Sequence, residues 1–143
     1  MINSKVYLQG SWDRFHRGHK KLLKRASKLG KLYIGVINSE AYKRNRGYKP
    51  DYDAYSRVQP IWKWLDKYKI KWQEIIVCDN LETKKDLCLY KPDFIVVGSD
   101  WAKKDIYKQY NLTQEWLDKQ NIELIYFPYT KGVSSSMIKE KMK

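Results

Sequence analysis

Five short apolar runs, separated by stretches with helical spacing, constrain this chain more than any other feature. The runs are KVYLQG (5–10), LYIGVI (32–37), EIIVC (74–78), FIVVG (94–98) and IELIYFP (122–128). Each is too short for an ordinary helix and rich in β-branched, leucine or aromatic residues, so each reads as a strand. LYIGVI is a near-continuous apolar run, as expected of a strand buried on both faces, and EIIVC is read as a further buried strand. Between the runs, Leu22, Leu23, Ala26 and Leu29 share one face of a predicted helix over 17–30, with Gly30 placed as its C-terminal cap. NSEAYKRN (38–45), residues 54–68, residues 81–91 and a segment near 112–120 are the next predicted helices, and SSSMIKEKMK (134–143) is a terminal one with serine at its start. Pro60 predicts that the helix over 54–68 starts late or is kinked.

Strands and helices alternate from end to end. That order predicts an α/β fold: right-handed βαβ units forming a doubly wound, parallel, five-stranded sheet with helices on both faces. No linker or internal repeat interrupts it, so residues 1–143 are expected to form one domain. In such sheets ligands bind outside the carboxyl ends of the strands. Three polar segments fall there: GSWDRFHRGH (10–19), GSDW (98–101) and YTKGVSSS (129–136). Each leads from a strand toward a helix, whose free N–H groups and partial positive charge suit a phosphate.

Composition excludes several classes. At 143 residues and 43% hydrophobic, the chain can bury a core and is not a disordered segment. Its apolar runs are too short to span a bilayer, and MINSKVYLQG lacks the apolar core of a signal peptide, so a cytoplasmic protein is expected. Cys78 and Cys88 have neither metal-site nor disulfide spacing. The net charge of +13 suits polyanionic partners, either nucleic acid or small phosphate compounds. The cationic residues are spread along the chain without a tail-like block, which weakens the nucleic-acid reading.

His16 and His19 are the only histidines, and they sit in one turn with Gly18 between them. At i, i+3 they would share a helical face, and Gly18 lets the backbone come close to a ligand. A metal pair lacks a third ligand nearby, and two structural histidines would need separate partners. Imidazoles donating to phosphate at a helix start fit the setting best. Asp13 is either part of this site or a cap.

These residues carry a resemblance. Gly10-Ser11-Trp12-Asp13-Arg14-Phe15-His16-Arg17-Gly18-His19 is similar to the G-[ST]-F-D-x-x-H-x-G-H signature of the nucleotidylyltransferase superfamily, and in particular to its small cytidylyltransferases. Gly98-Ser99-Asp100-Trp101 resembles that family's G-x-D-W, and Gly132-Val133-Ser134-Ser135-Ser136 resembles its G-I-S-T-T. The resemblance implies a Rossmann-like fold, a homodimer, and transfer of CMP from CTP to a phosphorylated small alcohol or sugar, glycerol 3-phosphate by default. Pyrophosphate leaves with Mg2+ that is bound through the nucleotide phosphates rather than by protein ligands.

By the same resemblance, His16 and His19 are catalytic. Gly10, Ser11, Trp12, Asp13, Gly18, Asp100, Trp101, Tyr129, Gly132, Val133, Ser134 and Ser135 bind nucleotide, and Arg57, Arg46 and Lys49 meet phosphate or acceptor. Two departures stand out. Tyr129 replaces an arginine of the family pattern, and the stretch from Lys103 to Asn121 is longer than in the smallest members, with a reshaped acceptor pocket or subunit contact as its expected result. The rivals are an adenylyltransferase of the same superfamily, acting on a sugar phosphate, FMN or a pantetheine phosphate, and an inactive basic module that binds nucleic acid. A membrane partner is not expected.

Overall fold

The structure is a computed structural model and describes residues 3–98 and 105–127. The described elements run β1 (Lys5–Gly10), α1 (Arg17–Ser27), β2 (Lys31–Ile37), α2 (Ser39–Arg46), α3 (Ala54–Lys67), β3 (Trp72–Cys78), a 3-10 turn (Asn80–Glu82), α4 (Thr83–Tyr90), β4 (Phe94–Gly98), α5 (Ile106–Tyr110), α6 (Gln114–Lys119) and β5 (Glu123–Phe127). The five strands form one sheet in the order β3-β2-β1-β4-β5, with every pair parallel. The chain builds outward from β1 to β3, then returns to the other side of β1 to lay down β4 and β5. The crevice between the carboxyl ends of β1 and β4 is therefore the point where the winding reverses.

Alternation along each strand sorts side chains into two layers. Val6, Leu8, Leu32, Ile34, Val36 and Val96 face α1 and α3, where Leu23, Ala26, Ile61 and Leu65 complete a core. Tyr7, Tyr33, Ile95 and Val97 face the opposite side, with Leu87 of α4, Tyr110 of α5 and Leu117 of α6. Both faces of β1 and β2 are covered, which is why their sequences are apolar almost without a break. Gly35 is set by packing. A Cβ there would lie 2.9 Å from both the Cys78 sulfur and the Tyr7 hydroxyl.

Three expectations are corrected. EIIVC is not a fully buried strand: β3 is a sheet edge and leaves Val77 52% exposed. Helix α1 ends at Ser27 with Lys28 as its cap, so Gly30 is not the cap. Gly30 is needed instead because a Cβ would fall 2.2 Å from the Ser4 carbonyl oxygen, which accepts the N–H of Lys31. Helix α3 does not start late, because Asp53 caps it at Ala54, well before Pro60. The helix expected near 112–120 is α6; α5 before it was not expected, and the two are separated where Asn111 turns left-handed at φ 53° and Thr113 caps the next turn. The predicted terminal helix lies outside the described residues.

Candidate active site

The chain leaves β1 at Gly10 and enters α1 through a tight turn. Within it Trp12 (φ 56°) and Arg14 (φ 46°) both adopt the left-handed region, which is costly for bulky residues and persists only where the surroundings hold it. Trp12 is held from below: it is 4% exposed, and its indole N–H donates to the Gly35 carbonyl at 2.9 Å. Arg14 is held from above by Asp51 at 2.8 Å, with its guanidinium 5.8 Å from the Tyr52 ring. The Trp12 side chain is thus part of the core.

The two histidines come together, though not as successive members of one helical face. His16 is the N-cap of α1, and its Nδ1 accepts the N–H of Gly18 at 3.1 Å. His19 reaches back, and its Nδ1 accepts the N–H of His16 at 3.2 Å. This is a capping box with imidazoles in place of a hydroxyl and a carboxylate. The rings stack with centroids 3.8 Å apart, and Phe15 and Trp12 pack on His19 at 5.8 and 5.2 Å. Burial lowers the pKa of both rings; in His19, burial first and His16 second push it down to about 3, and in His16 the charge of Lys20 adds to burial. Both are neutral near pH 7. A neutral imidazole that accepts at Nδ1 carries its proton on Nε2. The box therefore fixes two Nε2–H donors side by side at a helix N-terminus.

Behind this turn lies a charged cluster. Asp13 is buried and accepts from the Tyr42 hydroxyl at 2.5 Å, with Arg46 at 3.9 Å, so it is not a helix cap. Burial, and then the Asp13 carboxylate, raises the Tyr42 phenol pKa. Arg46 and Arg57 flank the Tyr42 ring at 4.8 and 5.5 Å. Arg46 also donates to the Ser11 hydroxyl at 3.0 Å. Arg57, 2% exposed, donates from Nη1 to the Ser11 carbonyl (2.8 Å) and from Nε to the Tyr52 carbonyl (3.0 Å). Its Nη2 is buried with no hydrogen-bond partner among the described residues. Lys49 stands apart, beside a depression shared with Lys43 and Asp53.

A cavity of about 110 Å³ opens between the end of β1, α2, the 3-10 turn and α5, with Gln9, Ser11, Tyr42, Asn45, Arg46 and Asn80 on its wall. The sequence reading missed Gln9, Asn45 and Asn80; no motif marks an isolated amide. Asp100, Trp101, Tyr129, Gly132, Val133, Ser134 and Ser135 lie outside the described residues.

The arrangement can hold an anion between two fixed imidazole donors and nearby guanidinium groups. A family model described as cytidylyltransferase-like matches residues 7–141. The chain belongs to the cytidylyltransferase-like family. It is 32% identical over 140 residues to the glycerol-3-phosphate cytidylyltransferase of Bacillus spizizenii, covering 96% of each chain. It is 28% identical to the phosphopantetheine adenylyltransferase of Pyrococcus horikoshii, over 94% of this chain and 87% of that one. A solved structure of a lipopolysaccharide core biosynthesis protein from Thermoplasma volcanium superposes with a TM-score of 0.65 at 27% identity, covering 91% of this chain and 98% of that one. The protein is a nucleotidyltransferase with a Rossmann-like α/β fold. Among the described residues no helix is long and apolar enough to cross a membrane.

Proposed function

We propose that the enzyme transfers CMP from CTP to the phosphate of a small phosphorylated alcohol, with glycerol 3-phosphate as the first acceptor to test. The observation that carries the chemistry is the stacked pair of neutral Nε2–H donors. An oxygen of the acceptor phosphate forms a bond to the α-phosphorus. The bond from the α-phosphorus to the bridging oxygen breaks, and its electron pair leaves with pyrophosphate. A phosphate monoester has its second pKa near about 6, so the nucleophile is already ionised at neutral pH and needs no general base. What the reaction needs is donors aimed at oxygens that gain charge, and His16 and His19 supply them without moving a proton.

Arg57 Nη2 is the nitrogen that residue has left for a phosphate, and Arg46 adds charge beside Ser11. By the resemblance, Mg2+ would be held through the nucleotide phosphates, with Ser134 and Ser135 assigned to the outer phosphates on the same ground. Bound there, the ion would neutralise charge on the leaving pyrophosphate.

The preference for CTP rests on the relative named for cytidylyl transfer and on the resemblance of Gly98-Ser99-Asp100-Trp101. The relative named for adenylyl transfer keeps ATP as the second reading. Pyrophosphate release, screened with four nucleoside triphosphates against a panel of phosphorylated acceptors, separates them. CTP is expected to exceed ATP in kcat/KM at one fixed acceptor. A ratio near one, or in favour of ATP, replaces the first reading by the second, and no release with any pair removes both.

A further inference from the structure

We infer that the cavity between β1, α2 and α5 receives the uncharged, hydroxyl-bearing end of the acceptor, and that the Gln9 carboxamide oxygen reads one of its hydroxyls; this rests on the nucleotidyl-transfer reading above. Gln9 is 6% exposed and lies on the cavity wall beside Ser11. Its Nε2 donates to the Tyr7 hydroxyl at 2.9 Å and to the Thr83 hydroxyl at 3.0 Å. Both hydroxyls direct their own protons elsewhere, Tyr7 to Asp86 at 3.2 Å and Thr83 to the Asn80 carbonyl at 2.6 Å. Each can therefore only accept from Gln9, which fixes the orientation of the amide. Oε1 is left buried, with no partner among the described residues. An acceptor atom in that position is unfavourable until something donates to it, and an alcohol O–H does so without bringing a charge.

The rest of the wall has the same character. Asn45 donates to Asn80 Oδ1 at 2.8 Å, which leaves its carbonyl oxygen for a ligand. Gln109 stands on the wall, and its side chain makes no hydrogen bond among the described residues. Its backbone carbonyl is anchored by the Asn80 amide at 2.6 Å, which ties α5 to this cavity. Among the described residues that line it none is acidic, and Arg46 is cationic. An ammonium-bearing acceptor would meet the Arg46 guanidinium there, and the one carboxylate behind it, Asp13, is buried and already engaged by Tyr42 and Arg46. A cavity of about 110 Å³ suits a short polyol rather than a pantetheine arm or a flavin.

The test uses the full chain with CTP and four acceptors: glycerol 3-phosphate, a five-carbon polyol phosphate, propyl phosphate and ethanolamine phosphate. At least one polyol phosphate is expected to exceed propyl phosphate in kcat/KM by about 10²-fold, because a site built around hydrogen bonds rejects an analogue that cannot make them. Gln9→Met should cut that preference about tenfold. Gln109→Glu, at a side chain with no internal hydrogen bond, should raise ethanolamine phosphate relative to the polyol by about tenfold, and it keeps the test decisive if Gln9→Met does not fold. Equal rates with propyl phosphate, or an unchanged ratio in Gln109→Glu, overturn the inference while leaving nucleotidyl transfer intact. Absence of pyrophosphate with every acceptor and every nucleoside triphosphate removes the transfer reading and this inference with it.

Discussion

The His16–His19 turn and the amide-walled cavity lie on either side of the same strand end, and they differ in how much of their hydrogen-bonding capacity the protein itself uses. In the turn, both Nδ1 atoms are taken by backbone N–H groups and both rings are packed, so one donor per ring remains, in one place. On the cavity wall, Gln9 Oε1, the Asn45 carbonyl and the whole Gln109 amide have no partner among the described residues. A group that must stabilise a transition state gains from being held before the substrate arrives. A wall that must recognise one acceptor gains from groups left unpaired until it binds. The contrast supports the proposal that chemistry falls to one side and acceptor recognition to the other.

The largest expected effect breaks the catalytic side while sparing its architecture. Asparagine is a strong N-cap and glutamine serves at the third position of a capping box, so His16→Asn and His19→Gln keep the start of α1. Each should lower kcat by about 10²- to 10³-fold, the typical loss for one preorganised donor, with the circular dichroism spectrum unchanged. Normal turnover in either folded variant ends the catalytic assignment. Next comes Arg57→Ala, which removes the bonds to the Ser11 and Tyr52 carbonyls and a buried Nη2 that has no hydrogen-bond partner among the described residues. It should raise KM for phosphorylated ligands by about 10- to 10²-fold, in line with a charge-assisted contact of roughly 1.5–3 kcal/mol, as read by steady-state kinetics.

Tyr42→Phe sharpens the comparison on stability instead. It removes the donor to the buried Asp13 carboxylate and should cost about 1–3 kcal/mol in urea unfolding. The smallest effect is on the pH dependence of stability. Unfolded His19 takes up a proton near its ordinary 6.5, and the folded ring refuses it until about 3. The folded state therefore loses stability as pH falls from 6.5 toward 3, and His19→Gln should flatten that decline. Activity should fall only near about pH 6, where the acceptor phosphate takes up its proton, and an acceptor of different phosphate pKa should move that limb.

Much of this was legible in the sequence, because β1, β2 and β4 lie inside the sheet and their apolar runs announce it. The edge position of β3 was not, since strand order is a tertiary fact and EIIVC reads alike at an edge or a centre. The pairing of His16 with His19 followed from their closeness in the chain. Their capping box did not, because the usual pattern for that box has a hydroxyl and a carboxylate where this chain has imidazoles. Gln9 was invisible because its partner Thr83 is 74 residues away and amides carry no motif. Trp12, by contrast, was visible as part of a signature, but that its side chain is buried against β2 could not be read from the signature.

The central claim is that both imidazoles are neutral and protonated on Nε2. Because the chain has only two histidines, nitrogen NMR of ring-labelled protein, with the two single variants for assignment, reads each ring directly. Nε2–H signals are expected from both rings at pH 7, with His19 still neutral at pH 5. An Nδ1–H tautomer in either ring, or titration of His19 near 6.5, would contradict the claim.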